Sequence, residues 1–222
     1  MTQTATATRT DRYDELLDAA AECFRTRGFS ATSIDTVARH LGATKGRVYH
    51  YFPSKMDLFD AVRDRAMDIV FEAIEPGRAA SGTAAQRMAE MARGHARAMF
   101  HHHPYMQVLM DGLQMHRYST TTDFQRETLA RHLQRRDAYE KLFHDVIEQG
   151  LADGSFTTGE SLALTIQTFF SALNGPVFWY RARPDDSPAK LDRLAEDVVR
   201  FALRGLGVTQ MPTPAPRSKE TA

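Results

Sequence analysis

The stretch from Thr32 to Leu58 constrains the fold of this chain most, because its residue pattern predicts two short helices joined by a tight turn. The first helix begins near Ser33 and ends at Gly42, since a tight inter-helix turn often needs a positive φ that glycine adopts at low cost. Thr44 is placed to cap the second helix, and Pro53 prevents its continuation. Two short helices joined in this way form a helix-turn-helix.

The second helix of this motif is typical of a surface that binds an anionic partner. Between Thr36 and Met56 the chain has four Lys or Arg residues and no Asp or Glu, although the whole chain has 28 residues of each sign. A local excess of positive charge on a helix-turn-helix indicates double-stranded DNA as the partner.

The roles of the residues on this predicted DNA-binding face follow from their reach. Arg47 is predicted to be the main base reader, because its guanidinium can bond guanine O6 and N7 together in the major groove. Lys45 can contact a base or a phosphate, and Gly46 lets the helix approach the DNA backbone closely. The residues predicted to contact phosphates are Thr32, Thr44, Tyr49, His50, Tyr51 and Lys55.

The residues from Leu16 to Val62 resemble the N-terminal domain of the tetracycline-repressor (TetR) family. The matching pieces are a helix ending in RGF, the segment TSIDTVA, the run LGATKGRVYHYF, and KMDLF after it. Tyr51 stands where His is frequent in the family, and Pro53 stands where a polar residue is frequent. The resemblance implies a DNA-binding transcriptional regulator whose DNA contacts lie on the same helix face.

The rest of the chain shows helical patterns and no strand pattern of any length, which predicts an all-α fold of about nine helices. We expect an N-terminal helix-turn-helix DNA-binding domain over 1–53, ordered from about residue 11, and a connecting helix over 54–75. A ligand-binding and dimerisation bundle over 76–207 and a loose tail over 208–222 follow. A single Cys, no apolar span and no signal peptide predict a cytoplasmic protein that does not enter a membrane.

Two features predict a small-molecule site in the bundle. A methionine-rich belt favours either core packing or a surface that moulds to a ligand, and both interpretations stay open; it comprises Met88, Met91, Met99, Met106, Met110 and Met115. The uncharged segment from Ser161 to Tyr180 predicts a helix buried on every side, against a pocket and against a partner subunit. The predicted ligand-binding residues are Phe100, Met106, Met110, Phe143, Phe170, Asn174 and Trp179.

A homodimer is predicted, because one recognition helix contacts too few base pairs for a useful operator. Its interface is predicted on the last two long helices, Ser161 to Arg181 and Pro188 to Leu203. The candidate contacts are Phe169, Leu173, Val198 and Phe201. The run LNGPVFWYRARPDDSP resembles one branch of the family that responds to acyl- or ring-derived coenzyme A thioesters. That resemblance implies fatty-acyl or steroid-ring thioesters as effectors, ahead of hydrophobic drugs or aromatic metabolites.

The sequence favours a ligand-responsive repressor that binds a palindromic operator as a homodimer. The alternative is a helical DNA-binding architectural protein without a small-molecule response. No phosphate-binding glycine loop, nucleophile elbow or H-E-x-x-H motif predicts an enzyme, and no cofactor is expected. His101, His102, His103 and His116 could suggest a metal site, but consecutive helical residues point in different directions. Their position at a helix carboxyl end is the favoured explanation, so no metal is expected.

Overall fold

The computed structural model describes residues 9–115, 123–159 and 161–213, and every regular element in these ranges is an α-helix, which confirms the predicted fold class. The ten helices of these ranges are α1 (Arg9–Ala31), α2 (Ile34–His40), α3 (Lys45–Tyr51), α4 (Lys55–Ala79), α5 (Ala84–His101), α6 (His103–Met115), α7 (Asp123–Ala152), α8 (Leu162–Asn174), α9 (Pro176–Trp179) and α10 (Pro188–Arg204). Among the described helices, none has the length and apolarity needed to cross a membrane.

Pro176 divides the uncharged segment, which the sequence predicted as one kinked helix. α8 ends at Asn174, and the four-residue α9 begins at Pro176. A proline has no backbone N–H to donate and its ring crowds the preceding turn, so the helix does not continue unbroken. Ser161 caps α8, since its hydroxyl accepts a hydrogen bond from the backbone N–H of Leu164. The backbone N–H of Thr157 donates instead to the carbonyl of Leu206 at 3.0 Å.

The chain divides into two compact units. The first consists of residues 1–66 with 104–122, and the second of residues 67–103 with 123–222. α4 contributes residues to both units, and all of α6 except its first residue belongs to the first.

The core of the first unit forms around an apolar stripe of α1, whose members Leu16, Leu17, Ala20 and Phe24 are all buried. The ring of Phe24 meets that of Phe59 on α4 edge to face, with centroids 5.1 Å apart. Val48 is the buried residue of α3. Because one side of α3 is fixed on this core, its other residues are presented outward.

α6 is attached to the first unit by a hydrogen bond and by a close contact. The hydroxyl of Tyr105 donates to a carboxylate oxygen of Asp18 at 2.7 Å. The buried Arg63 of α4 lies against Gly112, where an added Cβ would come within 2.3 Å of Nε. Glycine is therefore the residue that leaves room for the guanidinium at this position.

α5 lies at the centre of the second unit, between α7, α8 and α10. Met88, Met91 and Met99 are buried in its core, which supports core packing for this part of the methionine-rich belt. α4 extends beyond its predicted end at Glu75 to Ala79, and Gly77 in this added turn packs closely on α5. A Cβ at Gly77 would lie 2.5 Å from the backbone nitrogen of Met91.

Candidate nucleic-acid interface and buried polar cluster

The outward face of α3 consists of Lys45, Gly46, Tyr49 and His50, all of which are exposed. Thr44 caps this helix, since its hydroxyl accepts a hydrogen bond from the backbone N–H of Arg47. The ammonium of Lys45 lies 5.6 Å from the centroid of the Tyr49 ring. These residues present a cation, a phenol and an imidazole from a short, capped helix that exposes them to a partner.

Arg47 lies to one side of this outward face, towards α1. Its Nη2 atom donates to Oε2 of Glu15 at 3.2 Å. Tyr51, one helical turn further along α3, also lies towards α1, with its ring centroid 5.9 Å from that of Tyr13. The predicted main base reader therefore has an acidic partner that the sequence pattern did not reveal.

Thr32 has an internal role instead of the predicted phosphate contact. Its side chain is 1% exposed, and its hydroxyl lies 2.8 Å from the carbonyl oxygen of Gly28 and 3.1 Å from that of Cys23. The neighbouring Ser33 provides the cap of α2, through a hydrogen bond from the N–H of Thr36. A buried hydroxyl that already donates to its own chain cannot reach a phosphate, so this prediction was wrong.

Lys55 and Arg39 also have partners within the first unit. Nζ of Lys55 donates to the carbonyl oxygen of Phe29 at 2.8 Å, and Arg39 pairs with Asp35 at 3.3 Å. Of the four cations between residues 36 and 56, Lys45 alone makes no hydrogen bond or ion pair within the described part of the chain. Lys45 is therefore the cation that can bind an anion without breaking an internal hydrogen bond or ion pair.

A buried polar cluster lies in the second unit, around His95 of α5. Nε2 of His95 lies 3.0 Å from Oδ1 of Asn174, and Nδ1 lies 2.7 Å from the hydroxyl of Tyr139. Because the amide oxygen can only accept, Nε2 carries the proton, and Tyr139 donates to Nδ1. The three side chains thus form a directed chain of hydrogen bonds from α7 through α5 to α8.

Burial keeps this cluster uncharged. It lowers the pKa of His95 from 6.5 to about 4, although the Asn174 hydrogen bond opposes the shift. It also raises the pKa of Tyr139 well above its ordinary value. Polar groups in a protein interior cost free energy even when they are paired, so such a cluster suggests a functional constraint on these positions.

Aromatic rings surround the polar cluster. The ring centroids of Phe143 and Phe170 are 5.0 Å apart, and each lies about 6 Å from the imidazole of His95. The ring of Phe71 meets that of Tyr139 edge to face at 5.1 Å. Three predicted ligand-binding residues, Phe143, Phe170 and Asn174, are therefore brought together around His95.

The other predicted ligand-binding residues lie elsewhere. Phe100 meets Trp179 at 5.9 Å between ring centroids, and Trp179 is 56% exposed. Met106 and Met110 belong to α6, in the first unit.

His95 and Tyr139 were not among the predicted ligand-binding residues. A signal for His95 was present in the sequence, because Met91 and Met99, one helical turn before and after it, are apolar and mark a core position of α5.

The predicted dimer contacts divide into buried and exposed residues. Phe169 and Leu173 are buried in the core of the second unit, which leaves little of either side chain for a partner. Val198 is half-buried, and Phe201 is 71% exposed on α10. Phe201 also lines a groove of about 470 Å³ between α8 and α10.

The histidines at the end of α5 do not converge on one point. Nε2 of His101 lies 3.0 Å from a carboxylate oxygen of Asp192, whereas His103 is buried with its ring centroid 5.3 Å from that of Tyr180. His116 lies outside the described residues. The partner of His101 thus comes from α10 and not from its neighbouring histidines.

Comparisons with known proteins agree with this arrangement in both halves of the chain. Residues 16–62 match the family "Bacterial regulatory proteins, tetR family", and residues 81–206 match "Tetracyclin repressor-like, C-terminal domain". The chain is 24% identical over 199 residues to the HTH-type transcriptional repressor KstR2 of Mycolicibacterium smegmatis. The matched region covers 90% of this chain and 92% of that protein.

Two solved structures share the fold. The ketosteroid transcriptional regulator KstR2 of Mycobacterium tuberculosis has a TM-score of 0.73 at 22% identity, and the likeness covers 92% of this chain and 98% of that one. AibR, in complex with isovaleryl coenzyme A and operator DNA, has a TM-score of 0.68 at 19% identity, covering 86% and 97% of the two chains.

The C-terminal match alone spans more than half of the chain, and the N-terminal match includes the complete helix-turn-helix with its capped α3. Both matches agree with the resemblance of residues Leu16 to Val62 to the N-terminal domain of the TetR family. The chain belongs to the TetR family of bacterial regulatory proteins, and it is a transcriptional regulator and not an enzyme.

Proposed function

We propose that this regulator is a repressor that binds a palindromic operator as a homodimer and releases it when a hydrophobic small molecule binds. The observation that carries the proposal is the outward face of α3, where Lys45 is exposed and has no internal ion-pair partner. A short helix that projects such residues from a fixed core is suited to the major groove. The compared KstR2 is named a transcriptional repressor, which supports the direction of regulation.

We propose that different residues of α3 and its flanks contact the bases and the phosphates. Arg47 reads a guanine, and Lys45 contacts a base or a phosphate. Thr44, Tyr49, His50 and Tyr51 fix the register on the phosphates. Gly46 permits close approach because it has no side chain, and no neighbouring group of the protein requires a glycine there. Lys55 reaches a phosphate only if it gives up its contact with Phe29.

We assign the dimer interface to the exposed side of α8 and α10. Leu164 on α8 and Phe201 on α10 are 46% and 71% exposed, and α8 carries no charged residue. Large apolar side chains that lie exposed on neighbouring helices are typical of a surface that a partner covers. A second copy of this chain fits because a palindromic operator requires two-fold symmetry.

We assign the effector site to the polar cluster of His95, Tyr139 and Asn174 and the rings around it. A site of this kind suits a mainly apolar compound with one polar group, since aromatic walls bind the body and the cluster orients the polar atom. The names of two compared proteins, a ketosteroid regulator and a complex with isovaleryl coenzyme A, support steroid or acyl coenzyme A thioesters as first candidates.

Effector binding must alter the distance or angle between two copies of α3 to release an operator. We propose the helix over residues 54–75 as the connection between a DNA-binding part, 1–53, and an effector and dimerisation part, 76–207, followed by a tail over 208–222. A coupling free energy of about 1–3 kcal/mol would change operator affinity about 5- to 150-fold, which is sufficient for induction.

The experiment titrates acyl and steroid coenzyme A thioesters into the complex of the full chain with a duplex that it has selected from random sequences. We expect one of these classes to release the duplex and to change the fluorescence of Trp179, the only tryptophan. Asn174→Ala should weaken this response, whereas Lys141→Ala, an exposed change on α7, should retain it. Release by no compound of either class would contradict the effector assignment and leave the DNA-binding assignment intact.

A further inference from the structure

Glu15 of α1 is paired with the residue that is proposed to read DNA bases. Its Oε2 atom accepts a hydrogen bond from Nη2 of Arg47 at 3.2 Å, across 32 positions of the chain. The Arg47 side chain is 34% exposed and that of Glu15 is 52% exposed, so the pair lies at the surface where a duplex would approach. The contact therefore belongs to the reading face and not to the core.

The backbone that carries Glu15 is positioned by packing between α1 and the end of α3. Tyr13, two residues before Glu15, has its ring 5.4 Å from that of Phe52 and 5.9 Å from that of Tyr51. These ring contacts fix the start of α1 beside α3. Glu15 therefore projects its side chain from a fixed backbone position within reach of Arg47.

The pairing uses one edge of the guanidinium. Within the described residues, Nη2 is the only side-chain nitrogen of Arg47 that takes part in a hydrogen bond. The guanidinium therefore retains further N–H groups that can donate to a base edge. A carboxylate beside a DNA-binding face also repels phosphates. Its presence there calls for a role in which negative charge is useful.

We propose that Glu15 is a positioning residue that raises sequence discrimination, by keeping Arg47 from phosphates and directing its remaining N–H groups towards a base. The inference rests on the proposed DNA-reading role of Arg47. Non-specific affinity comes from Lys and Arg contacts to phosphates, so a cation held by a carboxylate contributes less to it. In a specific complex the held side chain is already ordered and loses less entropy on contacting its base.

The test compares Glu15→Gln with Asp14→Asn in the full-length protein. Asp14 is the exposed neighbour on α1, and within the described residues it makes no ion pair with Arg47, so its substitution changes charge equally without releasing the arginine. The probes are the duplex that the unsubstituted protein enriches from a random-sequence pool and a scrambled duplex of the same composition. Each is titrated over a series of salt concentrations.

We expect Glu15→Gln to bind the scrambled duplex about 2- to 5-fold more tightly than Asp14→Asn does, the range that follows from releasing an exposed ion pair. The slope of log affinity against log salt for that duplex should become steeper by about 0.9 for each bound protomer, and so by about 1.8 for the proposed dimer, because each Arg47 gains a phosphate. Affinity for the enriched duplex should change less, so the ratio of the two affinities falls. In an Arg47→Ala background, Glu15→Gln should no longer change the slope.

Equal behaviour of Glu15→Gln and Asp14→Asn on both duplexes would overturn the inference, since Glu15 would then act only through net charge. An equal gain on the enriched and scrambled duplexes would overturn it as well. A different result identifies failure of the underlying proposal: if Arg47→Ala retains the complete sequence preference of the unsubstituted protein, Arg47 does not read a base.

Discussion

The ammonium of Lys55 donates a hydrogen bond of 2.8 Å to the carbonyl oxygen of Phe29 and lies 4.2 Å from the centroid of the Phe29 ring. Phe29 follows Gly28, whose φ of 73° interrupts the helical path within α1, and the Phe29 carbonyl also accepts the backbone N–H of Thr32 at 3.3 Å. Lys55 therefore joins the start of α4 to the end of α1 and stabilises the scaffold that presents α3.

Replacing Lys55 by methionine should lower the free energy of unfolding by about 0.5–1.5 kcal/mol, because the hydrogen bond to Phe29 is lost. Urea denaturation measures this change. Lys45→Met is the matched control, since Lys45 is exposed and makes no hydrogen bond within the described residues. If Lys55→Met unfolds like the control and binds every duplex more weakly, the main role of Lys55 is a phosphate contact.

Thr32→Val should destabilise the first unit by about 1–2 kcal/mol, because it keeps the shape of the side chain but removes the buried donor to the carbonyls of Gly28 and Cys23. Thermal unfolding of the variant gives the measurement. Thr26→Val, which removes an exposed hydroxyl that bonds the carbonyl of Glu22, should cost less. Once folded, Thr32→Val should bind DNA as the unsubstituted protein does. A uniform loss of DNA affinity at unchanged stability would instead support the predicted contact between Thr32 and a phosphate.

Because of His95, the stability of the protein should fall as the pH is lowered from 6.5 to about 4. In the unfolded chain the imidazole binds a proton below its ordinary pKa of 6.5, whereas in the folded protein burial lowers that pKa to about 4. The unfolded state thus binds more protons in this window, and the full difference amounts to about 3 kcal/mol. His95→Gln should lose this part of the pH dependence in denaturation curves, and an identical pH profile for both proteins would show that His95 is not buried as described.

Phe201→Glu should convert a dimer into a monomer, because a carboxylate would be buried where an exposed phenyl ring is proposed to meet the second copy. Sedimentation velocity at micromolar concentration measures the change. Leu133→Glu introduces the same charge at another exposed apolar residue, on α7, and should leave the dimer intact. A Phe201→Glu protein that remains dimeric would place the interface on another surface.

The parts of the fold that depend on local sequence signals could be predicted. Thr44 caps α3, as its position indicated, and Gly42 in the turn before α3 has the positive φ, 66°, that was expected there. The predictions that failed or were missed involve contacts between distant residues. Nothing in the pattern near Thr32 reveals that its hydroxyl is buried against α1, and His95 meets Asn174 across 79 positions.

Side-chain partners explain the rest of the difference between the predicted and the observed DNA-binding face. Residue type and local charge identified α3 and its cations, because these features lie within one short segment. The partner of Arg47 lies on another helix, 32 residues earlier, and the carbonyl that Lys55 contacts lies 26 residues earlier. Such pairings arise only when the helices pack, so a single sequence does not indicate them.

The most direct test of the account is binding-site selection from random-sequence duplexes by the unsubstituted protein and by Arg47→Ala. We predict that the unsubstituted protein enriches one two-fold symmetric sequence. Arg47→Ala should enrich the same sequence with one base pair relaxed in each half-site, at a cost of about 1–3 kcal/mol per half-site. Failure of the unsubstituted protein to enrich any sequence, or an Arg47→Ala protein with every base preference intact, would contradict the claim that α3 reads an operator through Arg47.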